Sequence, residues 1–224
     1  MDSSRRHFIQ SLVGASLVPW LGLEVVSTSG CHVFSLSEKS PQNALAFLSV
    51  RENLQIPSSL QFVMMCPRQE MGQGAETIVA MLLAEELTVP LEEITVEFLE
   101  NPDQLGFSET VGSESVRQLW VPLRMVGATA RELFLQAGAK VFNQAVSDCF
   151  VRNGFVLDSS GRQISFLDLW SQVQKEPVPN QVNLKPRDQF QLLGQPQVQV
   201  AIDSLLQGDT CFSIDFHCDD MLYA

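Results

Sequence analysis

The stretch that decides the fold is Arg68-Gln69-Glu70-Met71-Gly72-Gln73-Gly74-Ala75-Glu76-Thr77. It follows an apolar run at residues 60–66 and precedes a segment, residues 75–87, in which apolar residues recur every three or four positions. The run predicts a buried strand, and the periodic segment predicts a helix with one face on the core. The sequence therefore predicts a strand, a glycine-containing turn and a helix in direct succession.

This succession is one way in which proteins hold an anionic group. Gly72 and Gly74 let the backbone approach a ligand, and free N–H groups at a helix start favour negative charge. Gln73 lies between them with an amide that both donates and accepts. The stretch lacks the Lys-Ser/Thr of a Walker loop and the third glycine of a dinucleotide fingerprint. On spacing alone, a plain strand-to-helix turn that needs glycine for its geometry is the simpler interpretation.

Composition narrows the class of protein. The 224 residues are 45% hydrophobic, which is enough for one domain, or two small ones, with a buried core. The formal net charge of −12 disfavours binding to nucleic acid or to an anionic membrane surface. The five cysteines lack Cys-x-x-Cys spacing, so the chain is not expected to hold an iron–sulfur cluster or a zinc ion of its own.

Residues 1–25 predict a targeting segment. Ser4-Arg-Arg-His-Phe-Ile-Gln10 matches the twin-arginine export pattern, and residues 7–23 contain no Asp, Glu, Lys or Arg. That stretch is short for a spanning helix and typical of a signal peptide, with an uncleaved membrane anchor as the alternative. Ser29-Gly30-Cys31 also resembles the end of a lipobox, which leaves lipidation open as a minor alternative. We expect a periplasmic or otherwise exported protein without a stable membrane span.

Composition and periodicity divide the rest of the chain into four parts. These are a linker at 26–43, an α/β core at 44–147, a hairpin and short-helix extension at 148–196, and a terminal part at 197–224. The predicted fold class is α/β (α+β), a mixed sheet with two main helices on one face and a small β-rich tail.

Local patterns predict the elements of these parts. Strands are expected at 44–50, 60–66 and 94–99, and helices at 75–87, 116–142 and 166–174. Asn153-Gly154 predicts a hairpin turn. Ser165 and either Ser113 or Ser115 are natural N-caps. Alternation of Val198, Val200 and Ile202 predicts a late strand.

Two stretches resemble motifs of a known family. The first is Glu70-Met-Gly-Gln-Gly74 followed by Ala84-Glu-Glu-Leu87, and the second is Thr110-Val-Gly-Ser-Glu-Ser-Val-Arg117. Both are similar to the molybdenum hydroxylases, the xanthine oxidase and aldehyde oxidase family, and in particular to the large subunit of isoquinoline 1-oxidoreductase-type enzymes. The resemblance covers nearly the whole chain but only the first part of such a subunit. It implies that residues 197–224 are the start of a further domain that is truncated here.

The resemblance implies a binding site for molybdopterin, often in its cytosine dinucleotide form. The cofactor-binding residues that carry over are Gly72, Gln73, Gly74, Thr110, Gly112, Ser113 and Ser115. It also implies hydroxylation of aldehydes or N-heterocycles with oxygen from water. The glutamate base belongs to a later part of the family's large subunit, so no residue here is assigned a catalytic or metal-ligating role.

Two carboxylates depart from the family pattern. Glu109 and Glu114 stand where the family has small neutral residues, and a carboxylate about 4 Å from a phosphate costs roughly 1–4 kcal/mol. Both candidate loops precede helices, and a strand–helix–strand crossover between them would bring them to one edge of the sheet. We therefore expect the loops side by side around one concave surface. Anion binding is disfavoured if the two carboxylates point into it.

Three functional interpretations follow. The first is a partial large subunit of an exported molybdopterin-dependent oxidoreductase, which binds its cofactor only with the remaining domains, supplied as a separate chain, and does not turn over alone. The second is a truncated relative that keeps the fold and binds nothing. The third is a module that docks the family's small iron–sulfur subunit.

Other chemistry-bearing residues have simpler explanations. Glu85-Glu86 is expected to form a solvated helix face rather than an acid pair. His217-Cys218-Asp219-Asp220 is expected to be a polar tail rather than a set of metal ligands.

Overall fold

The computed structural model describes residues 45–53, 55–56, 59–98, 110–212 and 214–222. The predicted targeting segment and linker lie outside these described residues, as does Glu109 with the part of its loop that precedes it.

A three-stranded mixed sheet forms the centre of the core. Strand β1 (Leu48–Glu52) pairs antiparallel with β2 (Leu60–Cys66), which pairs parallel with β3 (Ile94–Phe98). Since β2 is the middle strand and most of its side chains are buried, its sequence is an almost unbroken apolar run. The predicted second and third strands are confirmed to within a residue. The first begins later than expected, after a short 3-10 turn at Leu45–Phe47.

Each of the two candidate cofactor-binding loops directly precedes a helix. Helix α1 (Ala75–Leu87) connects the parallel strands β2 and β3, and helix α2 (Ser115–Phe142) packs against α1. The helices approach closely at Gly127, where an added Cβ would lie 2.7 Å from Cβ of Glu86. The small residues of α2 thus permit this contact. Nearly every residue of α1 is buried, so it is a central helix and not one with a single core-facing side.

A second, antiparallel sheet follows α2. Its strands are β4 (Cys149–Arg152), β5 (Phe155–Asp158) and β6 (Gln163–Ser165), and helix α3 (Phe166–Val173) comes next. The predicted hairpin turn between β4 and β5 is confirmed. So is the Ser165 cap, whose side chain accepts a hydrogen bond from the Asp168 N–H. Phe134 of α2 stacks on Phe166 with ring centroids 3.8 Å apart, which joins this part to the main core.

The late strand predicted at residues 198–202 is wrong. Residues 197–212 and 214–222 contain one helix, α4 (Ile202–Gln207), and no strand among the residues described there. Val198 is 72% exposed, and local alternation does not make a strand without a neighbour to pair with. The α/β class is confirmed, but the β-rich part lies at 149–165 and not at the end of the chain. Among the described helices, none is long and apolar enough to span a membrane.

Candidate functional site

The two candidate loops lie side by side, as the sequence predicts. We call residues 68–74 the first loop and residues 110–114 the second loop. The backbone N–H of Gln69 donates to Oγ1 of Thr110 at 3.0 Å, and the Thr110 hydroxyl donates to the Gln69 carbonyl at 3.2 Å. Together with the first turns of α1 and α2, the loops line a surface cavity of about 450 Å³, which we call the inter-loop cavity.

The inter-loop cavity is lined by neutral groups. Of the residues predicted to bind a cofactor, those that line it are Gln73, Gly74, Thr110, Gly112, Ser113 and Ser115. The remaining lining side chains are apolar and include Met71, Val111 and Val116. Gly112 and Ser113 both have positive φ, at 60° and 54°, which makes the tight turn before α2. The cavity therefore offers hydroxyl and amide donors without a charged side chain in its lining.

Gln73 is held by its own loop. Its Oε1 accepts a hydrogen bond from the Met71 N–H at 2.6 Å, and its Nε2 donates to the Gln69 carbonyl at 3.0 Å. A side-chain amide nitrogen carries two hydrogens, so one N–H of Gln73 remains for a ligand in the cavity. The side chain is thus fixed in place before any ligand arrives.

Glu70 was not predicted as a site residue, yet its carboxylate organises the first loop. Oε1 accepts hydrogen bonds from the N–H groups of Gly72 at 2.8 Å and Gly74 at 2.9 Å, and Oε2 accepts from the N–H of Glu76 at 3.0 Å. In this structure the N–H groups of Gly72 and Gly74 are therefore bonded within the first loop and do not face an external anion. The sequence signal was an acidic residue just before the glycines, whose partners only the turn geometry reveals.

Behind Glu70 lies a second cavity of about 420 Å³, which we call the tail cavity. It is formed between the first loop and residues 199–212, and both Glu70 and Glu76 line it, as does Gly72. The N–H of Val200 donates to the Thr77 hydroxyl at 3.0 Å, which ties the tail to α1. Burial, and then the charge of Glu70, raise the pKa of Glu76. The first loop thus separates a neutral cavity from an acidic one.

Glu114 lies beside the inter-loop cavity, with its Cδ 3.9 Å from a Cβ built on Gly112, but it does not line the cavity. Its carboxylate accepts hydrogen bonds from the Arg117 guanidinium and from the Gln118 side-chain amide, and it is absent from the described lining of the cavity. The predicted serine N-cap of α2 is wrong, because Glu114 is the capping residue and makes no side-chain cap bond. Of the two departures from the family pattern, the one that the structure describes does not obstruct the cavity.

A buried arginine connects the two loops. Arg68 is 4% exposed and donates to the side chain of Gln118, which in turn donates to Glu114. Nε of Arg68 has no hydrogen-bond partner in the described part of the chain. The thiol of Cys66 donates to the Arg68 carbonyl at 3.4 Å. Burial raises the pKa of this thiol to about 11. That thiol is therefore neutral near pH 7.

Glu85 and Glu86 are buried, so their prediction as a solvated helix face is wrong. Glu85 is 1% exposed, and its Oε2 accepts hydrogen bonds from three consecutive backbone N–H groups, at 2.8, 2.7 and 3.1 Å, of Gln191, Leu192 and Leu193. Burial raises the pKa of Glu85, but these three bonds and the Lys185 ammonium outweigh burial and hold the pKa below its usual value. Both carboxylates fix the segment at 183–193, which contains a short 3-10 helix at Arg187–Gln189, against α1.

Comparisons with known proteins agree with the resemblance seen in the motifs. A family model described as a molybdopterin cofactor-binding domain matches residues 57–205. The membrane-bound aldehyde dehydrogenase (pyrroloquinoline-quinone) of Gluconacetobacter polyoxogenes is 27% identical over 162 residues, covering 70% of this chain and 21% of that protein. The beta chain of isoquinoline 1-oxidoreductase from Brevundimonas diminuta is 24% identical over 200 residues, covering 71% of this chain and 26% of that protein.

Two further similarities have lower coverage. One of the nicotinate dehydrogenase subunits of Pseudomonas putida is 24% identical over 155 residues, which is 69% of this chain and 13% of that protein. The crystal structure of quinoline 2-oxidoreductase from Pseudomonas putida 86 is 18% identical, with a TM-score of 0.43, and the match covers 60% of this chain and 17% of that one. The chain therefore spans between 13% and 26% of the length of these curated relatives.

Proposed function

The chain belongs to the family of molybdopterin cofactor-binding domains, and we propose that it supplies part of the cofactor site of a molybdopterin-dependent oxidoreductase. One observation carries the proposal, namely that two loops which are distant in sequence meet around a cavity of neutral donors. The relatives span far more residues than this chain, so the proposal covers one part of a larger catalytic unit.

The residues of the inter-loop cavity fit such a cofactor. The phosphate of molybdopterin requires hydrogen-bond donors and no nearby carboxylate, whereas its pterin ring presents both acceptors and N–H donors. Gln73 offers a free amide hydrogen, and Ser113 and Ser115 offer hydroxyls. The Glu114 carboxylate is paired with the Arg117 guanidinium and accepts from Gln118, so its charge is compensated beside the cavity. The donors present here match what the cofactor needs.

In this proposal the chain binds and orients, and the cofactor carries the redox chemistry. When bound, the molybdenum and its pterin supply the transfer of oxygen and the acceptance of electrons. The bonds between Gln69 and Thr110 hold the loops together, while the first turns of α1 and α2 form the walls. The catalytic base lies outside this chain, so we expect no turnover by the chain alone.

The proposed substrates, form of the cofactor and partner chains are taken by analogy with the relatives. Those relatives are an aldehyde dehydrogenase, a nicotinate dehydrogenase subunit and an isoquinoline 1-oxidoreductase subunit. By analogy, we propose aldehydes or N-heterocycles as substrates and the cytosine dinucleotide form of the cofactor. The partners would be the remaining large-subunit domains and a small iron–sulfur subunit. One observation supports the alternative, a truncated relative that binds nothing: Glu70 already accepts from three backbone N–H groups, two in the first loop and one in α1.

Binding of cofactor fragments tests the proposal. We expect cytidine 5′-diphosphate and a reduced pterin, each at millimolar concentration, to shift the backbone NMR signals of Gly112, Ser113 and Ser115. Replacing Ser113 and Ser115 together by alanine should weaken binding at least about tenfold, since two hydrogen bonds to the ligand are lost. Ser204→Ala is the matched control, because it removes a hydroxyl that lines only the tail cavity. Stable binding of the whole cofactor still requires the remaining domains, so the test concerns only weak binding of fragments. Absence of shifts at the second loop even at millimolar concentration would favour the non-binding relative.

We also propose that the chain is exported by the twin-arginine route. The support is the sequence Ser4-Arg-Arg-His-Phe-Ile-Gln10, with the uncharged segment after it. Replacing Arg5 and Arg6 together by lysine should retain the protein in the cytoplasm, as measured by cell fractionation. Unchanged secretion of the double variant would rule the route out.

A further inference from the structure

The first loop contains its own anion. The three backbone donors at and just before the start of α1 belong to Gly72, Gly74 and Glu76, and a single carboxylate, that of Glu70, accepts from all of them. These are the donors that an external phosphate would use at a helix start. A phosphate can reach them only if the Glu70 side chain leaves.

The surroundings of Glu70 make that exchange unfavourable. The carboxylate lies on the tail-cavity side of the loop, where Glu76 adds a second acidic group. Residues 199–212 form the opposite wall, and the Gln199 amide nitrogen would lie 3.4 Å from a Cβ built on Gly74. An approaching dianion would meet like charge within a partly enclosed space, where electrostatic repulsion is stronger than in bulk water. The acidic side of the loop thus excludes anions.

The same carboxylate fixes the neutral side of the loop. Glu70 holds the N–H groups on either side of Gln73, and the Gln73 amide then closes on Met71 and Gln69. With the N–H groups of both flanking residues bonded to Glu70, the Gln73 side chain lines the inter-loop cavity. Glu70 therefore acts on a ligand in that cavity through Gln73 and does not touch the cavity itself.

We infer that Glu70 is a positioning residue that serves as a built-in substitute for a phosphate at the start of α1. It directs anion recognition to the hydroxyl groups of the second loop. This deepens the proposed function, since it assigns the anionic part of the cofactor to the inter-loop cavity and not to α1. The part of the inference that concerns the built-in anion does not depend on whether the cofactor binds.

A gain of anion binding tests the inference. In Glu70→Ala, inorganic phosphate or acetate should occupy the vacated donors. We expect saturable shifts of the Gly72, Gly74 and Glu76 amide signals, together with a rise in Tm. In the wild-type chain the same shifts should require at least about tenfold more anion, the factor that one hydrogen bond to a charged group is worth. The side-chain amide signals of Gln73 should broaden in Glu70→Ala and sharpen again when acetate is added.

Two further variants show whether anion binding requires the N–H donors vacated by Glu70 or only the removal of a negative charge from the tail cavity. Glu76→Ala removes the same charge from the tail cavity but leaves Glu70 in place, so it should gain no anion binding. Glu70→Gln keeps an oxygen that can accept from the glycine N–H groups, so it should stay folded and bind phosphate more weakly than Glu70→Ala. If Glu70→Ala does not fold in plain buffer, acetate or phosphate should restore folding in a concentration-dependent way.

Two outcomes would overturn the inference. One is equal phosphate binding by the wild-type chain and Glu70→Ala, and the other is an equal gain in Glu76→Ala. The cytidine diphosphate titration of the wild-type chain instead measures the backbone NMR signals of Gly112, Ser113 and Ser115. A failure there would count against the proposed function while leaving the gain in Glu70→Ala intact.

Discussion

Glu86→Ala is expected to lower the free energy of unfolding by about 3–5 kcal/mol, the cost of removing one partner from a buried ion pair. Glu86 is 0% exposed, and its carboxylate contacts Arg124 at 2.7 Å and Arg131 at 2.8 Å. It also accepts from the backbone N–H of Lys185. Removing it leaves two guanidinium groups near one another without their shared anion.

Urea unfolding followed by tryptophan fluorescence measures this loss. Glu86→Gln should lose less, about 1–3 kcal/mol, because an amide oxygen can still accept one of the bonds. Glu132→Ala on α2 is a control that lies outside the network, and it should change stability by less than about 1 kcal/mol. A loss below about 1 kcal/mol for Glu86→Ala would show that the buried network contributes little.

The buried ion pairs of Glu85 and Glu86 show why the bounds of a helix can be predicted from its own sequence, whereas contacts with distant segments cannot. The bounds of α1 follow from its own sequence, because the glycine turn before it and Pro90 after it frame a periodic segment. The burial of Glu85 and Glu86 does not follow, because their partners include Lys185, about a hundred positions away. A pair of glutamates on a helix is ordinarily solvated, and here the segment at 183–193, together with Arg124 and Arg131 of α2, makes these two buried.

In the candidate site, likewise, the position of the loops could be predicted from the sequence, but the side-chain contacts within them could not. The meeting of the two loops was predictable, since a parallel crossover places the starts of both helices at one edge of the sheet. The role of Glu70 was not, because its N–H partners become neighbours only when Gly72 and Gly74 take positive φ, at 90° and 78°. Sequence patterns locate a turn, whereas side-chain acceptors within it depend on the turn's dihedral angles.

The failed strand at 198–202 has a related cause. Alternating apolar residues indicate a half-buried strand only where another strand is present to pair with them. Here the N–H of Val200 bonds to the Thr77 side chain of α1 instead of to a strand. Val198 is exposed, and the chain turns into α4.

Glu93 gives the second large effect, which depends on pH. Burial, and then the neighbouring charge of Glu92, raise the pKa of Glu93 to about 7 from an ordinary 4.5. The residue is 8% exposed, and its carboxylate faces the hairpin turn, with Oε2 3.5 Å from a Cβ built on Gly154. The closely packed turn leaves little room for the water that an ionised carboxylate requires.

The sign of the effect follows from the two protonation states. Below pH 4.5 Glu93 is neutral in both the folded and the unfolded chain, so it costs nothing. Between pH 4.5 and 7 the unfolded chain loses the proton first, so the folded state binds more protons and stability falls as pH rises. Above pH 7 the carboxylate is charged in both states and the full penalty applies. The raised pKa thus favours the folded chain at low pH.

Glu93→Gln should therefore stabilise the protein at pH 8 by about 3 kcal/mol more than it does at pH 4, the free energy that corresponds to the shift in pKa. The measurement is urea unfolding of the wild-type chain and the variant across this range, with the difference rising between pH 4.5 and 7. Glu92→Gln is the matched control, because its side chain is exposed and should show only a small pH-dependent gain. A pH-independent difference for Glu93→Gln would show that the carboxyl has its ordinary pKa in the folded chain, and that the turn beside it admits water.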